Sequence, residues 1–147
     1  MSKNRPGFDI QVEYGENSEN ILKQIIADGS DIEVKTENCT WADSGNMAIE
    51  LEWDDRPSGI TATESTHWYH KFALRENDIF SIYFPTPILR DLVKHFKTNG
   101  RIVYGGDNNK SKLLLIPIVD AVAYVISRAR PVARKILKEE EKENDIS

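Results

Sequence analysis

The spacing of apolar and polar residues divides the chain into short strands and helices. Residues 8–14 alternate in the manner of a strand. A helix follows, which Asn17 or Ser18 can cap and Gly29 can end, with an apolar stripe at helical spacing. Glu19 falls on the border of that stripe, so it is the helix acid best placed to face inward.

Two further segments have the alternation of half-buried strands. In residues 31–37 the polar face carries Asp31, Glu33, Lys35 and Glu37, and the opposite face is largely apolar. Residues 47–53 alternate in the same way, and a polar turn separates the two segments. We therefore expect an antiparallel pair with an anionic outer face.

The remaining pattern alternates helices with strands. Thr63 can cap a helix that runs to about residue 74 and contains Trp68. A last helix from Val119 meets Pro131, which is expected to kink or restart it. Between them we expect strands at residues 79–84, 101–104 and 113–118 and a helix at residues 88–98. This order predicts an α/β fold, a mixed β-sheet flanked by helices, formed as one domain over residues 1–138.

Composition narrows the class of protein. The chain has 147 residues, 39% apolar and 29% charged, as in ordinary globular proteins. No apolar run is long enough to span a bilayer, so we expect no membrane partner. The lone cysteine, Cys39, cannot form an internal disulfide or a thiolate zinc site, which favours a reducing, cytoplasmic setting.

Charge is distributed unevenly along the chain. Residues 1–87 have a net charge of −9, residues 88–138 of +8 and residues 139–147 of −4. The last segment is expected to be a frayed, flexible acidic tail. This distribution suits a protein whose acidic half binds divalent cations and whose basic half binds a phosphate backbone. Interleaving of the two halves in space is the competing interpretation.

The pair Glu33 and Lys35 carries the clearest chemistry. Residues two apart on a strand project from the same face, so both side chains can reach one substrate atom. Phosphodiester hydrolysis uses a divalent cation to activate water and benefits from a cationic side chain near the reacting phosphate. Mg²⁺ prefers carboxylates and retained waters, so no His or Cys is required. A solvated strand face is the alternative for this pair.

The order of several short motifs resembles the PD-(D/E)XK nuclease superfamily, and in particular its small phage-encoded members. The stretches that carry the likeness are GENSE at residues 15–19, DIEVK at 31–35, GNMAIE at 45–50, SGITAT at 58–63 and the segment with Trp68. The resemblance implies a restriction-endonuclease-like fold and a metal-dependent nuclease that uses Mg²⁺, with Mn²⁺ as a substitute. It also implies DNA as the partner and a bacterial or phage-infected cytoplasm as the setting.

The same resemblance assigns roles to individual residues. Glu19 corresponds to the helix glutamate, Glu33 to the metal-binding acid and Lys35 to the catalytic lysine. This sequence departs from the family in its second motif, where no Pro-Asp dipeptide occurs. Asp31 is the first candidate for that acid, as a metal ligand and catalytic residue, and Glu50 on the following strand is the second.

Basic side chains in the second half of the chain are the candidate nucleic-acid surface, with a solvated face as the alternative. They are Arg90, Lys94, Lys97, Lys110, Lys112, Arg128, Arg130 and Arg134, followed by Lys135. His67 and His70 are expected on a helix surface, and His95 is expected to be exposed.

Two classes of function remain open. The first is a metal-dependent DNA endonuclease acting on duplex, branched or junction DNA, with RNA not excluded as a substrate. The second is a non-catalytic nucleic-acid-binding or assembly subunit that keeps the fold. Cutting of both strands would favour a homodimer.

Overall fold

The computed structural model describes residues 19–24, 26–27 and 31–146, and the last of these ranges contains two β-sheets and three α-helices. The predicted strand at residues 8–14 lies outside the described residues. Residues 19–24 and 26–27 are helical, in agreement with the predicted first helix.

The first sheet has the strand order β1-β4-β5. It comprises β1 (Ile32–Asn38), β4 (His67–Leu74) and β5 (Asn77–Pro85). β1 runs parallel to β4, and β5 pairs antiparallel with β4, so this sheet is mixed.

The second sheet has the order β3-β2-β7-β6 and is antiparallel throughout. Its strands are β2 (Asn46–Trp53), β3 (Arg56–Pro57), β6 (Arg101–Gly105) and β7 (Ser111–Pro117). A short turn joins β6 to β7, and it begins at Gly106, whose φ of +71° is one that glycine adopts without strain.

The helices are α1 (Thr40–Ser44), α2 (Thr86–Lys97) and α3 (Ile118–Ile146). α2 buries Leu89, Leu92 and Val93. α3 continues through Pro131 and through the acidic residues 139–146, which were not predicted to be helical. No helix in the described part of the chain is both long and apolar enough to cross a membrane.

Both sheets, α2 and the first turns of α3 share one apolar core. The side chains at its centre are almost fully removed from solvent: Met47, Ile49, Leu51, Ile60, Trp68, Phe72, Leu89, Leu92, Leu114, Ile116 and Ala121. Burial of this continuous apolar surface is the main contribution to the stability of the fold.

The predicted antiparallel pair of residues 31–37 and 47–53 is wrong, although both segments are strands. β1 pairs with β4 and β2 pairs with β7, in different sheets. The segment between the two strands was expected to be a turn that reverses the chain direction, but it contains the helix α1. Strand pairing depends on distant partners, which local alternation does not specify.

The predicted helix from Thr63 to about residue 74 is also wrong, because this segment contains β4. Trp68, His70 and Phe72 are buried at every second position, which is the period of a strand. The aromatic residues of this segment favour strand structure. His67 and His70 therefore lie on opposite faces of a sheet and not on one face of a helix.

The architecture confirms the predicted α/β class, in which helices flank β-sheets. It differs from the expectation of a single mixed sheet, because the strands divide into two sheets.

Candidate functional site

Glu33 and Lys35 lie on β1 and their side chains meet, as the strand alternation predicts. The Lys35 Nζ is 3.1 Å from the Glu33 Oε1. The Lys35 side chain is 40% exposed and that of Glu33 is 28% exposed. The two tips are thus close together and within reach of a dissolved substrate.

Each member of the pair has a second neighbour that holds it. The Thr63 hydroxyl donates a hydrogen bond of 2.7 Å to Glu33 Oε2, so both carboxylate oxygens of Glu33 are engaged. The Lys35 ammonium lies 5.9 Å from the ring centroid of Trp68, within the range of a cation–π contact. These contacts restrict the rotamers of both side chains, so the pair is positioned before any ligand arrives.

The loop that carries Thr63 is fixed to the body of the protein. Arg90 on α2 donates a hydrogen bond of 2.7 Å to the Thr63 carbonyl oxygen. Gly59 has φ +55°, and a Cβ atom there would clash with the backbone of Glu50 on β2. Only glycine permits both this backbone conformation and this close approach. Arg90, predicted to contact nucleic acid, therefore has a structural contact with the loop beside Glu33.

Two of the other predicted carboxylates, those of Glu50 and Glu19, have partners of their own. Glu50 accepts hydrogen bonds from the hydroxyls of Ser58, at 2.6 Å, and Ser111, at 3.0 Å. The exposed Glu19 forms an ion pair of 2.5 Å with Lys23. Asp31 precedes β1 and is exposed, and its carbonyl oxygen accepts the His67 N–H at 2.9 Å.

The described residues contain no group of three or more His, Cys, Asp or Glu side chains placed to hold a metal ion. The predicted set Glu19, Asp31, Glu33 and Glu50 is thus not gathered into one cluster. Sequence spacing placed these acids on neighbouring elements, but the strands β1 and β2 belong to different sheets. Glu33 offers one hard oxygen ligand beside Lys35. A single ligand of this kind can hold Mg²⁺ only if the ion keeps most of its water ligands and also binds a phosphate of the substrate.

A second polar group lies further along the same face of β1. His70, which is completely buried, has its Nε2 2.5 Å from Glu37 Oε1. The Trp68 indole N–H donates to His70 Nδ1 at 3.1 Å, so Nδ1 is the acceptor and the Nε2 proton faces Glu37. Glu37 also accepts the Ala48 backbone N–H of β2 at 2.5 Å, which ties the two sheets together.

Glu37 was predicted on the polar face of its strand, but its contact with His70 was not predicted. Its alternation with Glu33 and Lys35 was visible, whereas the pairing with His70 depends on the parallel register of β1 and β4. Correct assignment of His70 to a strand would have indicated a buried histidine that needs a carboxylate or carbonyl partner.

The predicted nucleic-acid residues divide into paired and unpaired groups. Lys110 is 3.8 Å from Asp54, and Lys112 is 3.2 Å from Glu52. Arg128 is 3.6 Å from Asp91. The rest are exposed and, within the described part of the chain, form no ion pair: Lys94, Lys97, Arg130, Arg134 and Lys135.

An open groove of about 310 Å³ lies between α2 and α3, beside Arg128. In it the Tyr124 hydroxyl donates to Asp91 Oδ2 at 2.8 Å, and this hydrogen bond is the main reason that the pKa of Tyr124 is raised. His95 is exposed, as expected, and stacks on Tyr124 with ring centroids 4.3 Å apart.

Comparison of the chain with family models, with curated proteins and with solved structures finds no match. The likeness to the nuclease superfamily therefore rests on the motifs of the sequence itself.

Proposed function

We propose that this protein is a nuclease that hydrolyses phosphodiester bonds, with DNA as its substrate and the Glu33–Lys35 pair as its reaction centre. The observation that carries the proposal is the 3.1 Å approach of the two side-chain tips on a partly exposed strand face. The motif order that resembles small phage-type nucleases supports the same function.

The reaction adds water to phosphorus, breaks the bond from phosphorus to the leaving oxygen, and leaves that oxygen with a proton. Lys35 provides a fixed positive charge where negative charge develops on the phosphate oxygens. Thr63 and Lys35 orient the Glu33 carboxylate, which can accept a proton or a hydrogen bond from the attacking water. Mg²⁺, when bound, would supply further charge neutralisation and lower the pKa of that water.

The exposed lysines of α2, Lys94 and Lys97, provide the grip on the phosphate backbone in this proposal. They lie three residues apart on one helix face, near the Arg90 that holds the Thr63 loop. Contacts of this kind are independent of base sequence and weaken as salt is added.

Replacement of Lys35 by alanine tests the proposal. We expect Lys35→Ala to lower the rate of cleavage of duplex and branched DNA in Mn²⁺ by at least about 100-fold. DNA affinity and melting temperature should change little, because the Glu33–Lys35 pair is partly exposed. Lys71→Ala is the matched control, since Lys71 is on β4 of the same sheet and pairs with Asp78 at 2.9 Å. Full activity of Lys35→Ala would refute the assignment.

A non-catalytic nucleic-acid-binding or assembly subunit is the second candidate. It is favoured by the finding that the described residues hold no three-ligand metal group. A titration with Mg²⁺ and Mn²⁺ separates the candidates, because an ion that binds the folded state raises the melting temperature. A rise that Glu33→Ala eliminates, but Glu52→Ala does not, supports the nuclease. Binding of DNA or RNA with no metal effect and no cleavage supports the binding subunit.

A further inference from the structure

Two rows of side chains lie next to each other on the inner face of the first sheet. The parallel register of β1 and β4 places three ionisable side chains opposite three rings: Glu33 opposite Trp68, Lys35 opposite His70 and Glu37 opposite Phe72. Opposite positions of neighbouring strands point to the same face of a sheet. The three rings are almost fully removed from solvent, whereas the Lys35 side chain is 40% exposed. The rings therefore form the buried side of the candidate site.

The contacts between the two rows are diagonal. The Glu37 Oε1 is 2.5 Å from the Nε2 of His70, which is the ring opposite Lys35. Lys35 is displaced in the same direction, since its Nζ lies 5.9 Å from the ring centroid of Trp68. Within β4 the Trp68 indole N–H donates to His70 Nδ1 at 3.1 Å. One continuous chain of contacts thus leads from Glu37 through His70 and Trp68 to Lys35.

Only one state of the His70 ring satisfies both of its neighbours. An indole N–H only donates and an ionised carboxylate only accepts, so the imidazole accepts at Nδ1 and donates from Nε2. A half-turn of the ring would place carbon atoms against both Trp68 and Glu37. A proton on Nδ1 would face the Trp68 N–H, which is also a donor. Glu37 is itself held by the Ala48 backbone N–H at 2.5 Å, so the orientation of His70 is fixed from both sides.

The hydrogen bond to His70 in turn fixes the plane of the Trp68 indole. This side chain is only 1% exposed, so rotation of its ring would leave a buried N–H without a partner, which is costly. The indole and imidazole planes lie within 14° of parallel. Attraction of an ammonium group to an aromatic ring depends on its place over the ring face. The orientation of the indole therefore determines where the Lys35 ammonium lies.

We propose that His70 is a positioning residue for Lys35, which it holds in place beside Glu33 through the ring of Trp68. This inference deepens the proposed function and rests on it, because Lys35 is taken to act at the reaction centre. His70 is completely buried and does not contact the substrate. Its loss is therefore expected to lower the turnover of bound substrate, kcat, and to leave KM nearly unchanged.

Two substitutions of His70 separate its two hydrogen bonds. His70→Gln places an amide donor near the former Nε2, so it keeps the contact with Glu37 and loses the acceptor for Trp68. His70→Asn places an amide oxygen near the former Nδ1, so it keeps the acceptor for Trp68 and loses the contact with Glu37. Both variants replace a buried imidazole by an amide, so each is a control for the other. Ile116→Val, which shortens a fully buried side chain of the second sheet, is the control for lost packing alone.

The first measurement needs neither nucleic acid nor metal. The Lys35 ε-methylene group adjoins the Nζ that lies 5.9 Å from the Trp68 ring centroid, so the ring current displaces its NMR resonance. Lys35→Arg identifies that resonance. We expect the displacement to be lost in His70→Gln and retained in His70→Asn and Ile116→Val. An unchanged resonance in His70→Gln would overturn the inference, because packing alone would then hold the indole. Equal changes in His70→Gln and His70→Asn would also overturn it.

The second measurement is the rate of DNA cleavage in Mn²⁺. His70→Gln should lower kcat by about 10- to 100-fold with little change in KM, because a small displacement of a catalytic group has effects of this size. His70→Asn should retain most of the rate. Full kcat in His70→Gln, when Lys35→Ala has lost activity, would contradict the positioning role. The expected NMR changes in a protein that cleaves no DNA would support the positioning of Lys35 and refute the nuclease function.

A measurement on the natural chain keeps the inference testable where a His70 variant does not fold. Circular dichroism and the melting temperature identify such a variant. A hydrogen bond between two nitrogen atoms transmits scalar coupling, so protein labelled with ¹⁵N should show coupling between Trp68 Nε1 and His70 Nδ1. A nuclear Overhauser effect should connect the same indole with Lys35. Absence of the coupling in the natural chain would overturn the inference.

Discussion

The two sheets of this protein share one core but present very different faces to it. The second sheet contributes only apolar side chains, among them Met47, Ile49 and Leu114, which are completely buried. The first sheet contributes Trp68 and Phe72 together with polar groups along β1 and the buried His70. Apolar burial needs no specific partner, whereas each polar group near a core needs one.

The comparison teaches where stability and chemistry reside. The second sheet can be packed by any side chains of suitable volume, so it serves as a scaffold. The inner face of the first sheet carries an ordered row of ionisable groups that only a defined register can satisfy. Glu37 is satisfied within the protein by His70 and Ala48, while Glu33 and Lys35 at the other end of β1 remain accessible.

The largest effect on stability is expected in the second sheet. Leu114→Ala removes a fully buried side chain that lies opposite Ile49 in the sheet, and it should lower the free energy of unfolding by about 2–5 kcal/mol. Denaturant unfolding measures the change. Val119→Ala, at a position that is 78% exposed, is the control and should have little effect. A cost below about 1 kcal/mol for Leu114→Ala would contradict the role given to this sheet.

An intermediate effect is expected at Glu37. Glu37→Ala leaves the buried His70 N–H and the Ala48 N–H without their acceptor, and the expected cost is about 1–3 kcal/mol. Glu37→Gln keeps an acceptor oxygen and should cost less. Glu52→Ala, which breaks the partly exposed pair with Lys112, is the comparison variant and should cost less than about 1 kcal/mol. Equal costs for Glu37→Ala and Glu52→Ala would show that the buried link is unimportant.

The smallest effect on stability is expected at Lys35, where the predicted effect on activity is largest. Lys35→Ala breaks a partly exposed ion pair, and it should change the free energy of unfolding by less than about 1 kcal/mol. The same unfolding experiment provides the measurement, run beside the cleavage assay. A loss of several kcal/mol would mean that Lys35 stabilises the fold, and loss of cleavage would then carry no information about chemistry.

Only the part of the candidate site that lies on a single strand was predictable from the sequence. The two-residue period of a strand placed the side chains of Glu33 and Lys35 together, and the structure confirms their contact. Thr63 was recognised only as a helix cap, and its bond to Glu33 crosses thirty positions of sequence. The described residues do not gather Glu19, Asp31 and Glu50 around Glu33, and the local pattern could not show this, because Glu19 and Glu50 lie on elements whose positions relative to β1 depend on the tertiary structure.

By itself the sequence determined which segments are extended, helical or turned wherever the local pattern is clear. The strands at β1, β2, β5, β6 and β7 and the helix α2 were all predicted within a few residues. The segment at β4 was misassigned because its buried face includes the polar His70 between Trp68 and Phe72, so the strand period is not visible as an alternation of apolar residues.

Only the tertiary structure decided which strands pair and which charges meet. Local alternation fixes the direction of a side chain relative to its own strand, because sterics confine the backbone of each residue. It does not fix the neighbouring strand, since pairing is selected by the burial of the whole core. The sheet that holds Glu33 and the partner that orders His70 are therefore properties of the folded chain.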